Sequence, residues 1–224
     1  MYLFLSIVFV LSIIIGIMLI VGFIFKPPFW RRHLRGIRIF CALWFAPYVL
    51  YILLFTGPED LRQYPPHETS PYRLPWQAGV RRILSQGNRS FTSHHGIHLH
   101  AWDFVMAIGT EVLAARDGVV IEVEQSYSTV GLNGNGVLVR HADGQISGYY
   151  HIQHNGSLVK VGDQVRQGQA IALSGMTGQT TLPHLHFVVF NADRTASVPI
   201  SFQDVEDGVP LAGHIYTSGN NGHN

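Results

Sequence analysis

The chain has 224 residues, 47% of them hydrophobic, with 15 basic against 14 acidic side chains and a formal net charge of +1. This near-balance leaves no basic footprint of the kind a nucleic-acid-binding protein carries. The single cysteine, Cys41, rules out an intramolecular disulfide, so an exported domain built from this chain must rely on its core or on a metal.

Residues 1–25 carry no charge and are dominated by Leu, Ile, Val and Phe, a length that crosses a hydrocarbon core of about 30 Å. A transmembrane helix is predicted there. A cleaved signal peptide fits less well, because the run lacks a basic start, is too long, and is followed by no small-x-small site. Residues 37–56, interrupted only by Arg38 near the start and by Pro47, are expected to form a second span. The intervening loop, residues 26–36, holds Lys26, Arg31, Arg32 and Arg35, whereas Glu59 and Asp60 follow the second run. The positive-inside bias then makes the loop cytoplasmic and places both chain ends outside. The expected location is the cytoplasmic membrane, multi-pass, with the C-terminal part on the periplasmic or cell-wall side.

Residues 57–78 contain Pro58, Pro65, Pro66, Pro71 and Pro75, a composition that disfavours helix and sheet. Fully extended at about 3.1 Å per residue, such a linker reaches on the order of 60 Å. The alternative is an irregular segment wrapped over the domain surface. From residue 79 to 212 the texture is that of an all-β domain with antiparallel pairing. Strands are expected near Glu111–Ala115, Val119–Gln125, Val137–His141, Ile146–Ile152, Ala170–Ser174 and Leu185–Phe190, joined by glycine-containing turns. No nucleotide-binding glycine fingerprint and no Gly-x-Ser-x-Gly elbow occurs. Residues 213–224, rich in Gly, Asn and Ser, are expected to form a loose tail with His214 and His223 solvated.

Nine of the thirteen histidines fall between His94 and His186, which concentrates any imidazole chemistry in the β domain. In the run LPHLHFVVF, His184 and His186 share one strand face while Leu185 and Phe187 point to the other. One face can thus hold a metal while the opposite face packs. Two further groups are SHHGIHLHAWDF, with His94, His95, His98, His100 and Asp103, and GYYHI, with His151. Catalytic zinc commonly takes three protein ligands and leaves a fourth position for water, and a donor set without cysteine argues for hydrolysis over a structural role. For a lone His-x-His pair, hydrogen-bonded histidines at the rim of a sheet would be the ordinary explanation.

These motifs, together with DFVMAIGTEVLAARDGVV, NGVLVRHADG, VKVGDQVRQGQAIALSGMTG and PHLHF, resemble the LytM/lysostaphin-type zinc metallopeptidases of bacterial cell walls, over about Val80 to Phe190. The resemblance implies a small antiparallel β domain with Zn2+ in a groove, Asp103 and His186 as ligands, and His184 and His151 as the general base and the transition-state stabiliser, in either order. The commonest spacing in the family sets a histidine four residues before the aspartate, but position 99 is Leu. A longer variant of the pattern matches Ser93, His94, Gly96, Ala101, Asp103 and Phe104, making His94 the third ligand, with His100 and then His98 as rivals. His95 should point away from the site. Departures at Ile108, Met176 and Leu182 bear on substrate preference more than on metal binding.

The resemblance implies a membrane-anchored zinc endopeptidase cutting cross-links or stem peptides of peptidoglycan. The alternative in a different class is a noncatalytic LytM-like regulator of other wall hydrolases, which the retained His94, Asp103, His151, His184 and His186 weigh against. A biotinyl/lipoyl-like carrier, suggested by the hairpin sequences, lacks the methionines that flank the modifiable lysine near Lys160. No regulatory protein partner can be named from the residues.

Overall fold

The computed structural model describes residues 60–90 and 92–221. The two apolar runs, residues 1–25 and 37–56, and the basic loop between them lie outside the described residues. Among the described residues, no helix is long and apolar enough to cross a membrane.

Among the described residues, eleven strands form two antiparallel sheets. They are β1 (Arg81–Gln86), β2 (Trp102–Val105), β3 (Glu111–Leu113), β4 (Gly118–Glu124), β5 (Gly136–Arg140), β6 (Ile146–Tyr150), β7 (Ile152–Ser157), β8 (Gln164–Val165), β9 (Ala170–Ser174), β10 (His184–Phe190) and β11 (Ile215–Thr217). The larger sheet runs β11-β1-β2-β10-β6-β5-β4-β8, and the smaller runs β3-β9-β7. The only helical pieces among the described residues are three short 3-10 turns, Leu61–Gln63, His67–Thr69 and Gly96–His98. The expected all-β, antiparallel domain is therefore what this region forms.

The six strands expected from sequence are present within a residue or two of their bounds, except that Glu111–Ala115 shortens to β3. Strands β1, β2, β7, β8 and β11 were not anticipated. They are short or carry too many polar residues to show a period-two pattern, and their pairing depends on partners far away in the chain.

Strand β10 lies between β2 and β6, and every one of its seven residues is buried. Its alternation separates two environments. Leu185, Phe187 and Val189 enter the main core with Leu84, Phe104, Ile152 and Ile171, which come from both sheets. Val188 and Phe190, on the same face as the two histidines, join a smaller cluster with Ala101, Leu138 and Ile146. Burying side chains of this size stabilises by roughly 1.5–3 kcal/mol each. The strand that carries the histidines is thereby held from both faces.

The proline-rich stretch does not form an extended arm over its described part. Tyr64, Tyr72, Leu74 and Trp76 are buried in the main core. Trp76 packs 4.8 Å from Phe104 between ring centroids and donates from Nε1 to Val80 O at 2.9 Å. Its backbone is stitched to distant parts of the chain: Arg73 N donates to Ala115 O and Gln203 N to Tyr72 O. Proline disfavours ladder pairing but leaves the neighbouring aromatic side chains free to bury themselves, so residues 60–78 wrap the domain.

The expected loose tail is likewise ordered as far as residue 221. Ile215, Tyr216 and Thr217 pair with Ile83, Arg82 and Arg81 of β1. Asn220 is fully buried and donates from Nδ2 to Leu74 O and Ala114 O. A polar composition masked this because its hydrogen-bond partners sit more than a hundred residues away. His214 is exposed, as expected; His223 lies outside the described residues.

Candidate active site

Strand register builds the centre of the site. In the antiparallel β2–β10 pair, Asp103 stands opposite His186, and in β10–β6, His186 stands opposite Tyr150. His186 Nδ1 lies 2.8 Å from Asp103 Oδ1, and His184 Nε2 lies 3.5 Å from the same oxygen.

His94 arrives from the loop between β1 and β2. That loop closes in successive turns, with His94 N donating to Ser90 O and Ala101 N to His98 O, around the 3-10 turn Gly96–His98. Gly96 has a φ of +59°, a backbone conformation that glycine adopts without steric cost. The turns absorb the long spacing between His94 and Asp103 and return His94 Nε2 to 3.1 Å from Asp103 Oδ1. Nδ1 of His94 faces Gly87 O at 2.7 Å, which assigns the proton to Nδ1 and leaves a lone pair on Nε2.

Among the described residues, one group has metal-binding proximity: His94, Asp103 and His186, whose ligand atoms all lie within 4.8 Å of one another. All three are at least nine-tenths buried. His94 Nε2 has no hydrogen-bond partner despite its burial. An orphaned lone pair beside a buried carboxylate is what a cation would satisfy. Two imidazoles and a carboxylate, with no thiolate, match a zinc site that keeps an open position.

The electrostatics agree. Burial opposes ionisation of Asp103, yet the surrounding imidazoles of His184, His186 and His94 outweigh it and hold the carboxyl well below the usual range. Burial pushes His186 down to about 4, so it is neutral near pH 7, as a ligand must be. For His184, burial pushes down but the hydrogen bond and charge of Asp103 push harder, and its pKa is raised.

Two imidazoles flank this group. His151, directly after β6, sits in the left-handed region at a φ of +64° and points Nδ1 at Thr177 O, 2.7 Å away. His184 points Nδ1 at Leu182 O, 2.8 Å away. Their ring centroids are 4.6 Å apart, and that of His151 is 5.8 Å from that of His186. Backbone carbonyls claim the Nδ1 proton of each, so both turn an Nε2 lone pair to their surroundings when neutral. Burial, followed by the neighbouring His184 and His186, lowers His151 to about 4.

All five sequence-derived site residues therefore meet, and the rivals for the third ligand do not replace His94. His100 bonds through Nδ1 to Ser197 O at 3.2 Å and packs against Tyr64. His95 is exposed. His98 approaches, but through the other nitrogen of His186: its Nδ1 lies 2.9 Å from His186 Nε2. Sequence reasoning missed Gln86, which donates from Nε2 to Asp103 Oδ2 at 2.7 Å. A glutamine on an unrecognised strand gives no signal; only the β1–β2 register, shifted between Leu84 and Gln86, sets it beside Asp103.

An antiparallel β frame thus presents a buried His–Asp–His donor set with two more imidazoles beside it, an arrangement suited to holding a zinc ion. Residues 93–198 match the model of peptidase family M23. The chain is 46% identical over 85 residues to peptidoglycan DD-endopeptidase ShyC of Vibrio cholerae, a match covering 38% of this chain and 18% of that protein. It is 35% identical over 138 residues to lysostaphin of Staphylococcus staphylolyticus, covering 60% and 28% respectively. Among solved structures, a zinc-containing peptidase from Vibrio cholerae is 32% identical, covering 58% of this chain and 39% of that one, with a TM-score of 0.44. The chain thus spans less than a third of the length of these curated relatives.

Proposed function

We propose that this chain is a zinc endopeptidase that hydrolyses peptide bonds of bacterial peptidoglycan, anchored by residues 1–25 and 37–56 in the cytoplasmic membrane with its catalytic domain outside. The observation that carries the catalytic reading is the convergence of His94 Nε2, Asp103 Oδ1 and His186 Nδ1 beside His151 and His184. The peptidoglycan substrate is supported by the match to peptidase family M23 and by relatives named as peptidoglycan endopeptidases. The anchor rests on the uncharged first run, the nearly uncharged second run and the basic loop between them.

His94, Asp103 and His186 would hold the zinc ion. When bound, zinc supplies Lewis-acid polarisation of the scissile carbonyl and lowers the pKa of water toward 7. The remaining chemistry belongs to side chains. His151, neutral at pH 7 through burial, offers Nε2 to take a proton from the attacking water and return it to the leaving amine, a role worth typically 10²- to 10⁴-fold. His184, whose charged form Asp103 favours, offers Nε2–H to the developing oxyanion. Because Leu182 O and Thr177 O anchor the two rings, neither needs to reorient during the reaction.

The test is mass spectrometry of muropeptides released from purified peptidoglycan by the full-length chain, with zinc, with chelator, and with His151→Ala. Zinc-dependent release that the substitution removes establishes the peptidase and identifies its bond. Intact peptidoglycan after incubation with the folded, zinc-loaded chain overturns this reading.

A further inference from the structure

We infer that His98 is a positioning residue which accepts a hydrogen bond from His186 and so fixes the tautomer in which His186 can bind a cation. The inference rests on the assignment of His94, Asp103 and His186 as the metal-holding group.

The argument begins with the two nitrogens of His186. Nδ1 faces Asp103 Oδ1 at 2.8 Å and belongs to the donor group, whereas Nε2 faces His98 Nδ1 at 2.9 Å. A neutral imidazole carries one N–H, so two tautomers compete. With the proton on Nδ1, His186 donates to the Asp103 carboxylate, a charge-assisted bond that is favourable in the absence of metal and blocks the ligating lone pair. With the proton on Nε2, the lone pair on Nδ1 is available. That second form leaves an N–H to be satisfied, and His186 is 8% exposed, so an unmet donor would be penalised by lost hydration. His98 Nδ1 is the acceptor that removes this penalty.

His98 is itself held in place. It ends the 3-10 turn Gly96–His98, with its backbone N donating to His95 O and its carbonyl accepting from Ala101 N. Its ring stands edge-on to Tyr150 and Phe190, at centroid distances of 5.9 and 5.6 Å, and 5.0 Å from His186. The same long spacing between His94 and Asp103 that departs from the short pattern makes room for this turn. The insertion therefore brings the metal group a partner for its histidine ligand.

Each donor then has an outer partner: Gly87 O for His94, Gln86 for Asp103 and His98 for His186. Partners of this kind commonly change metal affinity 10- to 100-fold when removed.

The experiment measures zinc affinity of the metal-stripped full-length chain, purified in mild detergent, by competition with a chromophoric chelator, for His98→Ala, His98→Asn and His94→Ala. Asparagine places its carbonyl oxygen near the position of Nδ1 and can accept from His186, whereas alanine cannot. Zinc affinity is expected to fall about 10- to 100-fold in His98→Ala and to recover most of that loss in His98→Asn, while His94→Ala abolishes tight binding. Equal affinity of His98→Ala and the unaltered chain overturns the inference alone, as does an equal loss in the alanine and asparagine variants, which would assign His98 to packing or to ligation. Unchanged binding by His94→Ala would instead overturn the ligand assignment, and the inference with it.

Discussion

Gln86 and Asp103 are joined across the bulged β1–β2 pair by a 2.7 Å hydrogen bond from Nε2 to Oδ2, the carboxylate oxygen turned away from the histidines. The glutamine is oriented by its other end, since Oε1 accepts from the hydroxyls of Ser90, Thr92 and Ser93. Replacing Gln86 with leucine removes the support of Oδ2 and should weaken zinc binding about 10- to 100-fold. Chelator competition on the metal-stripped variant reads the effect.

The proline-rich segment is part of the folded unit, and Trp76 is its deepest anchor at 1% exposure. Trp76→Ala should cost about 3–5 kcal/mol of stability, the range for removing a buried aromatic of this size. Urea unfolding of the metal-free chain measures it through the midpoint at unchanged slope. Deleting residues 60–78 altogether should leave a domain that does not fold, since Tyr64, Tyr72 and Leu74 leave with Trp76. A soluble, cooperatively melting deletion variant would refute this.

His151 occupies the left-handed region with a β-carbon present, a strain of about 1–2 kcal/mol that glycine avoids. His151→Ala and His151→Gly should both lose turnover, because each removes the imidazole. They should differ in stability, with the glycine variant melting a few degrees higher despite the greater freedom of its unfolded chain. An alanine variant that melts above the glycine variant would show that the strain is not stored there.

His141, away from the site, gives a pH signature of its own. Its Nδ1 faces Asp117 O at 2.8 Å and its Nε2 faces Ser147 Oγ at 2.7 Å, and burial lowers it from 6.5 to about 4. The folded state therefore resists protonation more than the unfolded chain does. The contribution is fully present above about pH 6.5 and is lost as pH falls toward about 4, at about 1.4 kcal/mol per unit within that window. Denaturation between pH 7 and 4 should show His141→Gln with a shallower loss of stability than the unaltered chain.

The all-β class, six of the strands and the concentration of imidazoles in the β domain were legible in the residues themselves, while the resemblance to a known family singled out Asp103, His151, His184 and His186 and favoured His94 over its rivals. Alternation in LPHLHFVVF set His184 and His186 on one face because a strand offers only two, and donor chemistry marked the imidazoles and Asp103 as a hydrolytic set. Local spacing could not decide between His94, His98 and His100. All three lie in one loop, and its turn around Gly96 has no period from which to read direction. Tertiary structure decided that His94 reaches Asp103, that His98 meets the far nitrogen of His186 and that His100 leaves toward Ser197. It also decided that Gln86 supports the carboxylate and that residues 60–78 and 215–220 belong to the folded unit. Most of these depend on contacts between segments far apart in the chain, and the rest on the direction of the loop between β1 and β2. Side-chain type and strand alternation are local properties, whereas register, turn direction and burial of an irregular segment are set by whichever distant partner completes the packing.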